Sequence, residues 1–356
     1  ATTSYGEIES CLLPHECVSA RAAIEGTPRD IQTGGGIVAE ARSIQPAKKL
    51  ELSLQNATFR GAILDSQAAT LHWIGPKSSD VVALARCNLQ TGQTGQRLLP
   101  YASAQASLPV GMANDHAWLA TDKRMLSFWN AAEGTVAAIG QTPGYIRAAA
   151  LSADGGFAVV AVHDDQQDGA ATDRLLQVAP SGQQLQLIGQ LDQAQEMDAL
   201  AISQNDKVVA VAAREGVWLI NLDDPSHRIM LQSDPKRMPR DVNKLEFTAD
   251  GQQLAAFWDN HALVWSTTTG EIQRHIACNS SVIGSISADG SKLATFLEDP
   301  SGPHRYCVAV WDAKTGHLLA RLFGTESAPD KMRFTTDGTR LQALRHKEYF
   351  LWDLAE

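Results

Sequence analysis

The sequence lacks the long apolar runs and the basic excess that mark membrane-spanning and nucleic-acid-binding proteins. No stretch approaches the roughly 18 consecutive apolar residues that a helix needs to cross a bilayer. Lys and Arg number 30 against 40 Asp and Glu, so the formal net charge is −10. Nucleic-acid binding normally requires a clustered basic surface. We therefore expect a soluble protein that neither inserts directly into a membrane nor binds nucleic acid.

Cysteine is also scarce, and the five residues are an odd number. Cys11 and Cys17 are close enough in sequence for a disulfide in an oxidising compartment. Two free thiols beside a short helix fit the same segment equally well. Cys87 stands where other repeats have a large apolar residue, which predicts a small core side chain.

Motifs that carry chemistry are missing as well. The chain has no Gly-x-Ser-x-Gly elbow, no His-Glu-x-x-His, no Cys-x-x-Cys and no phosphate loop. The best metal candidate is the segment 163–169, with oxygen donors at 164, 166 and 168 as at the start of a calcium loop. Its twelfth position is Leu175 instead of the bidentate Glu, which favours a solvated loop. We predict no catalytic residue, no metal and no cofactor.

What the sequence does contain is a repeated phrase: an apolar strand, an Asp-Gly type of turn, a second apolar strand and then Trp-Asp. Its turn residue recurs every 39 to 51 residues. A period of about 45 residues is typical of a four-stranded propeller blade. We place the marker at Asp65, Asn114, Asp154, Asn205, Asp250, Asp289 and Asp337.

A second marker keeps step with the first, in the third strand of each unit. The positions are Cys87, Trp129, Gln177, Ile220, Trp265, Trp311 and Trp352. The last unit ends one strand short, whereas residues 50–54 form an orphan strand with period-two alternation. Pairing of that strand into the last unit removes an open sheet edge. We predict an all-β fold, a seven-bladed β-propeller of four-stranded antiparallel blades over 46–356, closed by the N-terminal strand in the last blade.

These repeats resemble the WD-repeat β-propellers over about 300 residues. The Trp-Asp pair is explicit at Trp311-Asp312 and Trp352-Asp353, whereas the family's Gly-His dipeptide is missing. The resemblance implies an interaction platform whose partners bind the narrower face. The family's internal network of His, Ser or Thr, Asp and Trp is not expected here.

Residues 1–45 fall outside the repeat. Pro14 and Gly26 bracket a segment that fits a short helix, with Pro in the first turn and Gly at the C-cap. This N-terminal extension either packs over a blade edge or serves as a docking segment.

The candidate partner-binding residues lie in loops that the repeat places on the narrower face. Side chains at such tips need not pack, so their identity can reflect function. An aromatic among them is a candidate hot spot, with a ring folded back over the adjacent blade as the alternative. Residues 234–241 form a basic loop, which either contacts an acidic partner or is a solvated loop. The candidates are Arg214, Arg237, Arg240, Trp258, Asp259, Arg345 and His346.

The function predicted from these features is a non-enzymatic protein-interaction scaffold, monomeric by itself, that presents loop residues to one or more proteins. The start Ala1-Thr2-Thr3-Ser4, without Met, fits the region after a signal-peptidase cut. This favours a periplasmic or otherwise exported protein, such as a bacterial envelope complex subunit or a cognate inhibitor or immunity protein; a cytoplasmic location is the competing expectation. Two further functions fit the same repeats, namely the sensor or scaffold region of a larger signalling protein and a calcium-dependent propeller hydrolase or lactonase.

Overall fold

The computed structural model describes most of the chain from residue 41 onward. The described residues are 41–52, 62–64, 70–78, 81–100, 108–113, 117–122, 124–130, 135–164, 172–179, 185–191, 197–231, 242–258, 261–277, 283–298 and 305–355. Within these ranges no helix is long and apolar enough to cross a membrane. The predicted helix near Pro14 and the pair Cys11 and Cys17 lie outside the described residues.

The described residues form strands that are grouped into seven sheets. Two short strands come first, β1 (Arg42–Ile44) and β2 (Lys48–Glu51). Sheet 1 contains β3 (Ala62–Leu64), β4 (Thr70–Ser78), β5 (Val81–Asn88) and β6 (Thr94–Pro100). Sheet 2 contains β7 (Leu108–Ala113), β8 (Ala117–Asp122), β9 (Met125–Asn130) and β10 (Thr135–Gln141). Sheet 3 contains β11 (Tyr145–Leu151), β12 (Ala158–Asp164), β13 (Thr172–Val178) and β14 (Leu185–Leu191).

The remaining sheets follow the same antiparallel order. Sheet 4 contains β15 (Ala199–Ile202), β16 (Val208–Ala213), β17 (Gly216–Asn221) and β18 (Arg228–Met230). Sheet 5 contains β19 (Lys244–Phe247), β20 (Gln253–Trp258), β21 (His261–Ser266) and β22 (Ile272–Ala277). Sheet 6 contains β23 (Gly284–Ile286), β24 (Lys292–Glu298), β25 (Tyr306–Asp312) and β26 (Leu318–Leu322), with β1 as a fifth strand. Sheet 7 contains β27 (Lys331–Phe334), β28 (Arg340–Arg345) and β29 (Glu348–Asp353), with β2 as its fourth strand.

The first strands of consecutive sheets lie side by side and form a closed circle. Strand β3 neighbours β7, the series continues through β11, β15, β19 and β23 to β27, and β27 neighbours β3 again. A hydrogen bond from Arg333 Nη1 to the Leu64 carbonyl, 3.2 Å long, joins the last sheet to the first. These first strands are therefore the inner strands of the ring.

Strand β2 completes the last sheet, as the orphan strand near residue 50 predicts. It pairs antiparallel with β29, with Lys49 opposite Phe350, and begins two residues earlier than predicted. The Leu52 N–H extends the pairing with a 2.7 Å bond to the Lys347 carbonyl. Strand β1, which falls inside the predicted extension, pairs parallel with β26 and was not predicted.

Apolar side chains pack between neighbouring sheets, so the core is divided among the sheet interfaces. One cluster joins sheets 4 and 5, another joins sheets 5 and 6, and a third joins sheets 6 and 7. The third-strand marker residues Trp265, Trp311 and Trp352 are fully buried. Each stands opposite a buried leucine of the second strand, in the same register that the repeat predicts.

The indole N–H groups of two third-strand tryptophans are hydrogen-bonded inside the core. The indole Nε1 of Trp311 donates to Thr295 Oγ1 at 2.8 Å, and both side chains are buried. Trp352 uses its Nε1 differently and donates to the Phe323 carbonyl at 2.8 Å. The tryptophan N–H is thus hydrogen-bonded in both sheets, to a hydroxyl in sheet 6 and to a carbonyl in sheet 7.

The turn between the first and second strands has the same hydrogen bonds in five sheets. The Ser or Thr hydroxyl that ends the inner strand donates to an Asp or Asn two residues later, at 2.6 to 2.8 Å. The same hydroxyl oxygen accepts the N–H five residues later, at 2.9 to 3.1 Å. These hydroxyls therefore close the turn; they belong to Ser152, Ser203, Thr248, Ser287 and Thr335.

Backbone conformation explains the Gly that follows the Asp in this turn. Gly251 and Gly338 have φ of 69° and 65°, which a residue with a Cβ adopts only with strain. In the fourth repeat, Asp206 takes that position with φ of 58°. Its carboxylate accepts the Ala153 N–H of the neighbouring sheet at 2.7 Å, which offsets the strain.

Protonation of the turn carboxylates is expected to lower the free energy of unfolding in acid. Hydrogen bonds from the Thr335 hydroxyl and the Thr339 N–H lower the pKa of Asp337 to about 2. A folded pKa below the ordinary value of 3.8 stabilises the fold above that value, and the contribution is lost as pH falls toward 2. We expect Asp337→Asn to lower the free energy of unfolding by less than about 1 kcal/mol at pH 7, since solvent screens the exposed turn.

Urea denaturation of the wild type and Asp337→Asn at pH 7, 4 and 2.5 tests this expectation. The difference should shrink as pH falls, because the Asp337 carboxyl of the unfolded chain is protonated near its ordinary pKa of 3.8, before the folded one near pH 2. Asn205, which occupies the same turn position in sheet 4, shows that an amide oxygen fits the geometry. A difference that stays constant from pH 7 to 2.5 would contradict the assignment.

Candidate functional site

Turns and connections lie on two opposite faces of the ring, since consecutive strands of each sheet run in opposite directions. One face has the turns between first and second strands and between third and fourth strands. The other has the turns between second and third strands and the connections between sheets; we call it the connection face. The candidates Arg214, Arg345 and His346 all fall on this face.

Arg345 is an anchor of the connection face in sheet 7. Its Nε donates to Ser327 Oγ at 2.8 Å, its Nη1 to Glu348 Oε2 at 3.0 Å, and its Nη2 lies 3.6 Å from Glu326 Oε2. Only 14% of its side chain is exposed, whereas Glu326 is 84% exposed. Arg345 therefore links the connection between sheets 6 and 7 to the turn between β28 and β29, at whose start it lies.

His346 is the exposed tip of that turn, and its backbone is held in an uncommon conformation. Its φ is 50°, in the left-handed region that a residue with a Cβ enters with strain. Its N–H donates to Asp330 Oδ2 at 2.7 Å, a charge-assisted bond that stabilises the turn. The imidazole is thus presented to solvent from a constrained backbone.

Arg214 and Trp258 differ in what they offer to a partner. Arg214 is exposed in the turn between β16 and β17. Trp258 instead ends strand β20 with only 3% of its surface exposed, inside the cluster between sheets 4 and 5. The prediction of Trp258 as a loop-tip contact is corrected: apolar neighbours on two sheets cover the ring, which agrees with the competing prediction of a folded-back ring.

The remaining candidates from the sequence, Asp259, Arg237 and Arg240, lie outside the described residues and stay predictions. Next to Trp258, the structure brings together two histidines that were not predicted from the sequence. His261 Nδ1 and His275 Nε2 are 3.1 Å apart, so one nitrogen donates and the other accepts. No spacing signal identifies this pair, because the residues meet diagonally across β21 and β22.

Charged side chains also collect on the inner strands near the connection face. Lys244 begins β19, and its Nζ donates to Glu246 Oε2 at 3.0 Å and to the Gly284 carbonyl at 2.9 Å. Lys331 begins β27, and Arg333 follows two residues later on the same strand. This group was not predicted from the sequence. A signal existed, because Lys244 and Lys331 both stand six residues before the turn marker Asp of their repeats.

A histidine–aspartate pair lies at the connection-face end of sheet 3. His163 Nδ1 is 2.7 Å from Asp173 Oδ1, and the two residues are direct partners on β12 and β13. Asp173 is fully buried, and its Oδ2 has no hydrogen-bond partner among the described residues. His163 begins the calcium candidate segment 163–169, of which residues 165–169 lie outside the described part of the chain. The described residues contain no group of three His, Cys, Asp or Glu side chains able to hold a metal ion.

The closed circle of sheets defines the class of protein: the chain has a β-propeller fold. Among solved structures, it is similar to the β-propeller domain of Cps50 (Swd1) from Myceliophteria thermophila. The two share 12% sequence identity with a TM-score of 0.63, over 87% of this chain and 99% of that domain. No family model and no curated protein matches the chain. The resemblance to WD-repeat propellers is thus confirmed at the level of the fold.

Proposed function

We propose that the protein is a seven-bladed propeller that serves as a non-enzymatic scaffold for a protein partner. The seven sheets supply the blades, and β2 closes the ring inside the last one. A propeller fold of this kind is typical of interaction platforms, and its connection face presents the exposed candidates. The partner contacts are assigned to Arg214 and His346, with Arg345 holding the surface in shape.

The observation that carries this proposal is the constrained turn at His346. An exposed side chain on a backbone fixed by Asp330 and flanked by the Arg345 ion pairs loses little freedom on binding. Such pre-organisation strengthens association because less conformational entropy is lost. A strained, exposed, non-glycine residue is also a feature that clusters at functional sites.

The finer parts of the proposal come from the sequence alone. They are an exported location, a place in a bacterial envelope complex or a role as a cognate inhibitor, and a monomeric state before the partner binds. The basic residues Arg237 and Arg240 belong to the same proposal, as an additional contact for an acidic partner.

The test is partner capture from the native source, followed by affinity measurement with the purified partner. We expect the double variant Arg214→Gln, His346→Gly to bind at least about tenfold more weakly, since charged and aromatic contacts dominate interfaces. Glycine suits the left-handed backbone at 346, so stability should stay within about 1 kcal/mol of the wild type.

The matched control changes two exposed residues of the opposite face, Lys207→Gln and Lys314→Gln. This control should bind like the wild type. Equal loss of affinity in both double variants, or unchanged affinity in the first, would show that the partner does not use the connection face.

A further inference from the structure

The two lysines that begin β19 and β27 lie together although their strands belong to sheets 5 and 7. Besides its bonds to Glu246 and Gly284, Lys244 Nζ lies 3.4 Å from the Met332 carbonyl of β27. The ammonium therefore extends from sheet 5 past sheet 6 to sheet 7. It reaches the strand on which Lys331 is the first residue, close to the connection face.

Lys331 is half-buried, and its ammonium makes no hydrogen bond or ion pair with any residue in the described part of the chain. Burial lowers the pKa of Lys331, the neighbouring Lys244 lowers it further, and Asp330 acts in the opposite direction. A partly desolvated cation without a partner is unfavourable unless something pairs with it.

The nearby carboxylates are already engaged. Glu246 Oε2 accepts both from Lys244 Nζ and from the Ile286 N–H, the latter at 3.0 Å. Asp330 Oδ2 accepts the His346 N–H. Both carboxylates near the two ammonium groups therefore already accept hydrogen bonds. Neither carboxylate accepts one from Lys331.

Arg333 adds a third cation on the side of β27 that Lys331 occupies, because alternate residues of a strand share a face. Its Nη1 donates to the Leu64 carbonyl, and its other guanidinium N–H groups have no partner among the described residues. Lys331 and Arg333 thus place two cations on one face of β27 in a protein with a net charge of −10.

We propose that Lys331 and Arg333 bind an oxyanion group, a carboxylate or a phosphate, at the connection-face end of the inner-strand ring, where the charge of the Lys244 ammonium also favours an anion. The anion supplies the charge-assisted hydrogen bonds that Lys331 lacks, and the partial burial of the site strengthens them. The site goes beyond the proposed scaffold function, because it requires no protein partner.

The experiment uses the whole chain with 13Cε-labelled lysine, followed by NMR at pH 7 and constant ionic strength set with NaCl. Titration with inorganic phosphate should give a saturable shift of the Lys331 resonance, assigned by its loss in Lys331→Gln. In parallel, N-acetyl-glutamate amide tests the carboxylate. Saturation by phosphate alone or by glutamate amide alone identifies which oxyanion the site takes, and either outcome supports the proposal.

Variants keep the test independent of folding defects. Calorimetry should show phosphate or glutamate-amide affinity reduced at least about tenfold in Lys331→Gln. Affinity should be largely retained in Lys331→Arg, which preserves the charge. The exposed-residue control Lys207→Gln should bind like the wild type. Shifts that match those from NaCl for both probes, or an equal affinity loss in Lys207→Gln, would overturn the proposal.

Discussion

Replacement of Trp352 by alanine is expected to lower the free energy of unfolding by about 3–5 kcal/mol. The indole is fully buried between sheets 6 and 7, and its ring stacks on Phe350 with centroids 5.6 Å apart. Truncation removes its apolar contacts, leaves a cavity, and leaves the Phe323 carbonyl without its 2.8 Å bond from Nε1. Urea denaturation followed by circular dichroism measures the change.

Two conservative variants separate ring packing from the indole hydrogen bond. Trp352→Phe keeps an aromatic ring but loses the paired donor, so we expect a loss of about 1–3 kcal/mol. Trp218→Phe removes an indole Nε1 that is buried without a partner among the described residues. That change should leave the free energy of unfolding within about 1 kcal/mol of the wild type. An equal loss in the two variants would contradict the role given to the Trp352 hydrogen bond.

The second large effect is expected at the strand that closes the ring. Leu52 is 3% exposed and packs in the cluster between sheets 7 and 1, beside Leu344 and Tyr349. Leu52→Asp places an unpaired carboxylate among apolar side chains, which should lower the free energy of unfolding by about 3 kcal/mol or more. The same urea denaturation measures it.

Hydrogen exchange locates the effect of this substitution. Amides of β29 that pair with β2 should exchange faster in Leu52→Asp, because the fourth strand of sheet 7 is released. Glu51→Gln, at the neighbouring exposed position, should change neither stability nor exchange by more than about 0.5 kcal/mol. Stability of Leu52→Asp within that margin would show that β2 is not needed for closure.

The repeat could be recognised from the sequence because its residues are dictated locally. The turn at Asp337 needs a hydroxyl two residues before it and a residue tolerant of positive φ after it, and all three lie within four residues of the chain. The third-strand tryptophans keep their register because side chains alternate with period two. The closing strand was recognisable for a related reason. The last repeat lacks a fourth strand, and residues 50–54 form a strand that belongs to no repeat.

The environment of the candidate site residues was less predictable, for physical reasons. Trp258 stands beside a turn in sequence, but the cluster between sheets 4 and 5 covers it. The sequence places Arg345 in a loop as a candidate partner contact. In the structure, Ser327, Glu326 and Glu348 surround its guanidinium. Both outcomes depend on packing against other segments of the chain, to which a local pattern is blind.

The sequence by itself determined the all-β architecture, the repeat register and the turn chemistry, since each depends on residues a few positions apart. Only the tertiary structure decided which side chains are exposed and which charges meet. Lys244 and Lys331 are separated by two repeats, yet the curvature of the ring brings the first ammonium to the strand of the second. The burial of these side chains and the contacts between their charges depend on the closed circle of sheets, because they arise between residues of different sheets.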